Sequence, residues 1–354
     1  MKISTLFLLV ISLLLCSSNS KIMSDRNNYY ITNQKPLNPQ PYTALPLGAI
    51  KPKGWLLTML ELQRDGLTGH LDSIYDVVCG PENGWLGGIG DGWERGPYWI
   101  DGLVPLAYIL DDAELKQKAQ KWIDWSIENQ RENGYFGPLP LPDDAPVIPG
   151  TQQDMRKDWW PKMVMLKVLQ QYYNATEDER VIHMMDKYFR YQLETLGEYP
   201  LGHWTFWGNR RGGDNLAVVY WLYNITGKKY LLELAEIIHK QTYNWSEVFS
   251  GDMIRTVNPL PELHCVNVAM GLKEPVIYYQ QHPDTKYLKA VIKGLKALKD
   301  VHGFVNGMFG GDEQLHGNNP TQGSELCTTV EMMFSFESIL PITGNTYYAD
   351  YLEK

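Results

Sequence analysis

Apolar residues recur at helical spacing from Gly54 onward, beginning with Trp55, Leu56, Met59, Leu60 and Leu62. Five longer units then repeat one pattern. Leu106–Leu110 runs into Asp111-Asp112, then Leu115, Ala119, Trp122 and Ile123. Leu169–Tyr173 runs into Asn174-Ala175-Thr176, then Val181, Met185, Tyr188 and Phe189. Val219–Tyr223 leads through Asn224–Gly227 to Tyr230, Leu231, Leu234 and Ile238. Val276–Tyr279 leads through His282-Pro283-Asp284 to Tyr287, Leu288, Val291 and Leu295. Ser338–Pro341 leads through Thr343-Gly344-Asn345 to Tyr347, Tyr348 and Leu352. Each unit reads as an apolar helix, a short polar turn and an amphipathic second helix, with a period of roughly 50–65 residues.

Open helical solenoids have shorter and more regular periods. Here the second helix of each unit is followed by a long segment rich in Gly, Trp and Pro: 133–156, 199–214, 245–262 and 303–323. Long loops leaving the same end of every hairpin suit an all-α (α/α)6 barrel with a cleft at that end. The expected barrel occupies residues 51–354. Its pattern holds about eleven helices, so the expectation is a barrel without its twelfth helix.

The amino terminus has a different character. Lys2 precedes an apolar run from Leu6 to Leu15, and Ser18-Asn19-Ser20 offers small residues for cleavage. Residues 1–20 therefore read as a signal peptide, which places the protein outside the cytoplasm, secreted or periplasmic. Lipidation of Cys16 is the less favoured alternative, because Leu15 stands where a small residue is usual. Residues 21–50 are polar and Pro-rich and read as a linker leading into an N-terminal arm. No later stretch has the length and apolarity of a membrane span.

A net charge of −9 argues against nucleic acid or an anionic membrane as partner. Twelve Trp and 22 Tyr favour a carbohydrate, because the C–H faces of sugars lie well on aromatic rings. After export three cysteines are left, Cys79, Cys265 and Cys327, an odd number that leaves open a single disulfide or thiols kept for metal or chemistry.

Four clusters of acidic and aromatic residues fall in the loops. They are Asp91–Glu94 with Trp99 and Asp101, Asp158–Trp160, Trp204–Trp207 with Asp214, and Asp312-Glu313 with His316. Any one alone is explained by an Asp N-cap beside a packing Trp. Four at corresponding ends of a barrel favour a sugar site, with Trp99, Asp101, Trp207 and Asp214 as candidate contacts. His264 sits at a loop-to-helix junction and joins them. Glycoside hydrolysis usually takes two carboxyls, and Asp91, Glu94, Asp101, Asp214, Asp312, Glu313 and Glu325 all qualify. Glu325-Leu326-Cys327 opens an apolar helix with a carboxylate and a thiol, a pair suited to a borderline-soft ion such as zinc.

Several of these segments together resemble the DUF1680 proteins, glycoside hydrolase family 127. They are Leu45–Ile50, Trp99–Leu103, Asn129–Gly137, His264–Lys273 and Glu325–Glu331. The resemblance covers nearly all of the chain after the signal. It implies an (α/α)6 barrel followed by β-sandwich domains, and the expectation is that this chain carries the barrel portion without them. It also implies a retaining β-L-arabinofuranosidase whose cysteine nucleophile is held on zinc. By resemblance Glu325 and Cys327 are metal ligands, His264 contacts the sugar, and Glu313 is the acid/base, with Asp312 as rival. The family's remaining ligands are an adjacent Cys-Cys pair, one of them the nucleophile. This chain has no such pair, so the nucleophile is expected beyond Lys354. Without it the chain is expected to be inactive and to hold zinc sub-stoichiometrically. Two rivals stand beside this reading: a carboxylate-only (α/α)6 enzyme such as an unsaturated-uronyl hydrolase using Asp101 and Asp214, and a non-catalytic sugar-binding protein.

Overall fold

Turn chemistry sets the hairpins. Asp111, Glu177, Gly227 and Gly344 take left-handed conformations that stop a helix. An aspartate caps the next helix in two of these turns and in the turn before Thr285: Asp112, Asp178 and Asp284 accept the N–H groups of Leu115, Arg180 and Lys286. A computed structural model describes residues 30–257 and 263–354. The signal segment and Cys16 lie outside the described residues.

The helices in chain order are α1 (Trp55–Asp65), α2 (Leu67–Ile74), α3 (Asp76–Cys79), α4 (Arg95–Leu110), α5 (Ala113–Glu128), α6 (Trp159–Thr176), α7 (Glu179–Thr195) and α8 (Phe206–Arg210). They continue as α9 (Gly212–Thr226), α10 (Tyr230–Gln241), α11 (Trp245–Ser250), α12 (Cys265–Gly271), α13 (Lys273–Tyr279), α14 (Thr285–His302), α15 (Leu326–Thr343) and α16 (Tyr347–Glu353). Among the described residues the strands are β1 (Gly311–Asp312) and β2 (Gln314–Leu315), an antiparallel pair.

The first helix of each hairpin is apolar on most sides and packs inside. Neighbour packing runs α4 to α6, α6 to α9, α9 to α13 and α13 to α15. The second helices, α5, α7, α10, α14 and α16, each pack outside their own partner. Such an inner and an outer layer is the all-α barrel arrangement the periodicity predicts. Close approach within the inner layer needs Gly213, where a Cβ would meet the Glu274 Cβ at 2.9 Å and its Cα at 3.2 Å.

The arm before α1 straps across this layer. Gln34 N–H donates to the Asn224 side chain at 2.9 Å, Asn38 N–H donates to the Gln280 carbonyl at 2.7 Å, and Leu37 is buried. One apolar stripe does not enter the core. α1 buries no residue, and Trp55, Leu56, Met59 and Leu62 stay exposed. The helical spacing is right, but the main packing of α1 is against α2, with a smaller contact to α4. Among the described residues no helix is long and apolar enough to cross a membrane.

Candidate active site

The loop between α14 and α15 builds the site through its backbone. Gly303 bridges Phe309, Gly311 bridges Ser324, and Gln314 bridges His264. The Cys265 N–H donates to the Glu313 carbonyl at 2.9 Å, and the Glu325 N–H donates to the Gly311 carbonyl at 3.0 Å. Segments about sixty residues apart in the chain are thereby fixed side by side at the first turns of α12 and α15.

Their side chains converge. Ligand atoms of His264, Cys265 and Glu325 lie within 4.8 Å of one another. Cys265 Sγ donates to Glu325 Oε2 at 3.3 Å, and Cys327 Sγ donates to the same oxygen at 3.2 Å. Thr328 Oγ1 donates to Cys265 Sγ at 3.0 Å. The His264 Nδ1–H is turned onto the Glu313 carbonyl, which can only accept, so the neutral ring keeps its lone pair on Nε2. Burial pushes the Cys265 thiol up to about 12 and the Cys327 thiol up to about 11, with the Glu325 carboxylate adding to both. Among the described residues no disulfide joins the cysteines.

Glu313 stands at the tip of the β1–β2 ribbon with φ at 86°. Its side chain is 73% exposed, with Oε2 3.7 Å from His264 Nδ1. Asp312, the preceding residue, is engaged by His316, Oδ1 to Nε2 3.4 Å, and His316 Nε2 also donates to the Gly323 carbonyl at 3.0 Å. Trp207 presents its ring to His264 at 5.6 Å between centroids. Arg211 lies 4.5 Å from the Trp207 ring and 4.4 Å from the Trp160 ring, and it bonds Glu94 at 3.2 Å and Asn267 at 3.0 Å. His264, Trp207, Glu313, Asp312, Glu325 and Cys327 are thus assembled at one end of the inner layer.

The other sequence candidates are held by partners of their own. Trp99 is a core residue; its Nε1–H donates to the Thr68 carbonyl at 2.9 Å and its ring packs on Trp122. Asp101 is held by Lys167 at 2.7 Å and by Gln171 at 3.1 Å. Asp214 is paired with Lys273 at 3.1 Å, and burial still lifts its carboxyl to about 6. Cys265 was missed as a site residue. Its one sequence signal is adjacency to His264, because its partner Glu325 comes from another hairpin. Arg211 was missed too, as the link between Trp207 and Glu94.

Comparisons with known proteins bear on the family and the fold. A family model described as "Beta-L-arabinofuranosidase, GH127 catalytic domain" matches residues 20–354. A solved glycoside hydrolase shares the fold with a TM-score of 0.64 and 13% identity, over 92% of this chain and 52% of its own. A GH127 β-L-arabinofuranosidase from Geobacillus stearothermophilus T6 follows with a TM-score of 0.63 and 16% identity, over 86% of this chain and 54% of its own. A further GH127 β-arabinofuranosidase has a TM-score of 0.59 and 15% identity, over 92% and 54%. The chain therefore spans about half the length of these solved structures. No curated protein sequence matches it.

Proposed function

This chain belongs to the GH127 β-L-arabinofuranosidase catalytic-domain family, and from that premise we propose that its cleft hydrolyses glycosidic bonds in plant-type glycans, releasing L-arabinofuranose with retention. The observation that carries the reading is the pair of thiols, Cys265 and Cys327, both within 3.3 Å of one Glu325 oxygen, beside an exposed Glu313 carboxyl.

Glu313 has the reach and exposure of a general acid/base. It gives its proton to the leaving oxygen as the bond breaks and takes one from water in the second step. Retention follows when a thiolate attacks the anomeric carbon as the leaving oxygen departs, and water then displaces the thiolate from the face that oxygen vacated; this reading gives the attack to one of the two thiols at Glu325, Cys265 or Cys327, in place of the nucleophile expected beyond Lys354. His264, held by the Glu313 carbonyl, contacts the sugar. Trp207 offers its ring to a sugar C–H face, and Arg211 holds that ring in place. Asp312 is the rival acid/base.

The donor set fits zinc. Two thiols, a carboxylate and an imidazole lone pair are the ligand types zinc takes. Their Sγ–O separations of 3.2 and 3.3 Å are close to a ligand–ligand edge around one ion. Glu325, Cys327 and Cys265 would hold it, with the His264 ring beside them, its Nδ1 3.9 Å from Cys265 Sγ. Bound there, zinc would keep as thiolates two thiols that burial otherwise keeps protonated. The carboxylate-only alternative is less well supported, since Lys167 and Lys273 engage Asp101 and Asp214. The Lys2 and Leu6–Leu15 pattern supports export.

The test is release of aglycone from an aryl β-L-arabinofuranoside by the zinc-loaded protein. Glu313→Gln is expected to slow turnover by about 10²-fold or more while leaving metal content unchanged. An unchanged rate in Glu313→Gln transfers the role to Asp312. A zinc-loaded wild type inert toward arabinofuranosides of this anomer sinks the proposal.

A further inference from the structure

A second concave surface lies beside the cleft on the same loops. The 131–140 and 199–204 segments enclose a cavity of about 820 Å³, lined by Tyr135, Tyr191, Tyr199, Trp204 and, at its rim, Arg131 and Lys157. Trp204 and Lys157 also line an adjoining hollow of about 500 Å³, so the two form one groove. Its size is that of a small-ligand site, and its lining mixes flat rings with a few charged groups.

The rings are held in place before any ligand arrives. Tyr199 and Trp204 stack at 5.4 Å with 16° between planes, and His203 meets both edge-on at 5.0 and 5.1 Å. Trp159 braces the stack from below, with its ring 5.4 Å from Trp204 and its Nε1–H donating to the Tyr199 carbonyl at 2.9 Å. Tyr135 is fixed by donation to the Arg156 carbonyl at 3.2 Å and packs edge-on to Tyr191 at 5.8 Å. Such stiff rings bind with little loss of side-chain entropy. Trp159 and the Tyr135 hydroxyl account for the bracing, while Trp204 and Tyr199 stay half-exposed and Lys157 exposed.

Placement relative to the cleft is set by the chain. Trp204 is three residues before Trp207, whose ring packs edge-on to His264, so the Cα atoms of the two tryptophans lie within about 11 Å of each other. Phe206, exposed and 4.2 Å from Trp207 between ring centroids, lies between them in sequence. One short segment therefore carries aromatic faces from the thiol cluster to the second groove.

We propose that Tyr199, Trp204 and Lys157 form a second carbohydrate subsite that grips the glycan chain at a distance from the bond to be cleaved. The inference rests on the glycan-hydrolysing reading for what lies in the cleft. The ligand class is a hydroxyl-rich oligosaccharide, whose C–H faces lie on the Tyr199–Trp204 stack and whose hydroxyls meet Lys157 and Arg131.

The test is binding of a branched arabino-oligosaccharide by calorimetry to the full chain, alongside kinetics on the aryl monoglycoside. Trp204→Ala should weaken oligosaccharide binding roughly 10-fold, as for removal of an aromatic anchor, and Lys157→Ala by a smaller factor. Both should leave kcat and KM on the monoglycoside within about twofold. Lys157 is exposed, so its variant serves even if Trp204→Ala fails to fold. Oligosaccharide binding equal to wild type in both variants overturns the subsite, as does a wild type that binds no oligosaccharide. Should the wild type lack monoglycoside activity but bind the oligosaccharide through Trp204, the subsite stands and the catalytic reading falls.

Discussion

Gly311→Ala tests how tightly the ribbon and the thiol cluster are joined. The added methyl would sit 2.4 Å from the Cys265 Cβ and 2.9 Å from its Sγ. Comfortable carbon–carbon contact is about 3.5–4.0 Å, so the shortfall exceeds about 1 Å against an atom bonded to the main chain. Rotating the Cys265 side chain does not relieve a clash with its Cβ. The backbone cannot slip freely either: Cys265 N–H is tied to Glu313 and Glu325 N–H to Gly311 itself, at 2.9 and 3.0 Å. Relief must push β1 off α12 and open the gap between Cys265 and Glu325. Overpacking of this kind costs about 1–3 kcal/mol, a fall in Tm of a few degrees for a large domain. Zinc affinity, measured against a competing chelator, should drop at least tenfold, or about 1.4 kcal/mol. The double variant Gly311→Ala with Cys265→Gly should recover the lost stability but not the metal. A Gly311→Ala protein that melts and binds zinc as the wild type does would refute the coupling.

Three further predictions follow from the same packing. Cys265→Ala should lower zinc bound per chain in elemental analysis at least as much as Cys327→Ala; no loss in Cys265→Ala removes it from the metal set. Lys273→Ala takes the nearest cation from the buried Asp214 and Glu331, its neighbours at 3.1 and 3.9 Å, leaving Lys167 to balance them, and should cost about 3 kcal/mol in urea unfolding at pH 7; a cost below about 1 kcal/mol contradicts the pairing. Lys162 is fully buried, donates to the Arg156 and Asp158 carbonyls at 3.1 and 3.0 Å, and is held down to about 7 by burial. The unfolded chain keeps that proton up to 10.5. Between those values the unfolded state therefore binds more protons, and stability rises with pH. Lys162→Met should flatten that rise between about pH 7.5 and 9.5, and an unchanged slope in urea titrations would count against it.

The hairpins were legible because each repeats two local signals, an apolar run and a capped turn such as Asp111-Asp112. Both act within a few residues of chain. The metal pair Glu325 and Cys327 was legible for the same reason, being two positions apart at a helix start. Cys265 was not, because no spacing rule links it to a carboxylate sixty residues away; the bridge from Gln314 to His264 does that. Trp99 and Asp101 carried the same local signature as Trp207, an aromatic or acidic residue near a loop. What separates them is which helix faces which. Trp99 turns outward to Thr68 and Trp122, and Asp101 finds Lys167 on the neighbouring inner helix. Helical periodicity says which residues are buried, not which partner meets them.

The backbone of Glu313 has a consequence for how this position evolves. At φ 86° the residue occupies a conformation that suits glycine and burdens any side chain. A chain selected for stability alone would place glycine there, gaining on the order of 1 kcal/mol. Retaining glutamate means the fold tolerates a local penalty at the one loop tip that presents a carboxyl beside the thiols. Drift at this codon is thus favoured by folding and opposed only by chemistry. A lineage released from the reaction would be expected to lose Glu313 before it loses the half-buried Glu325.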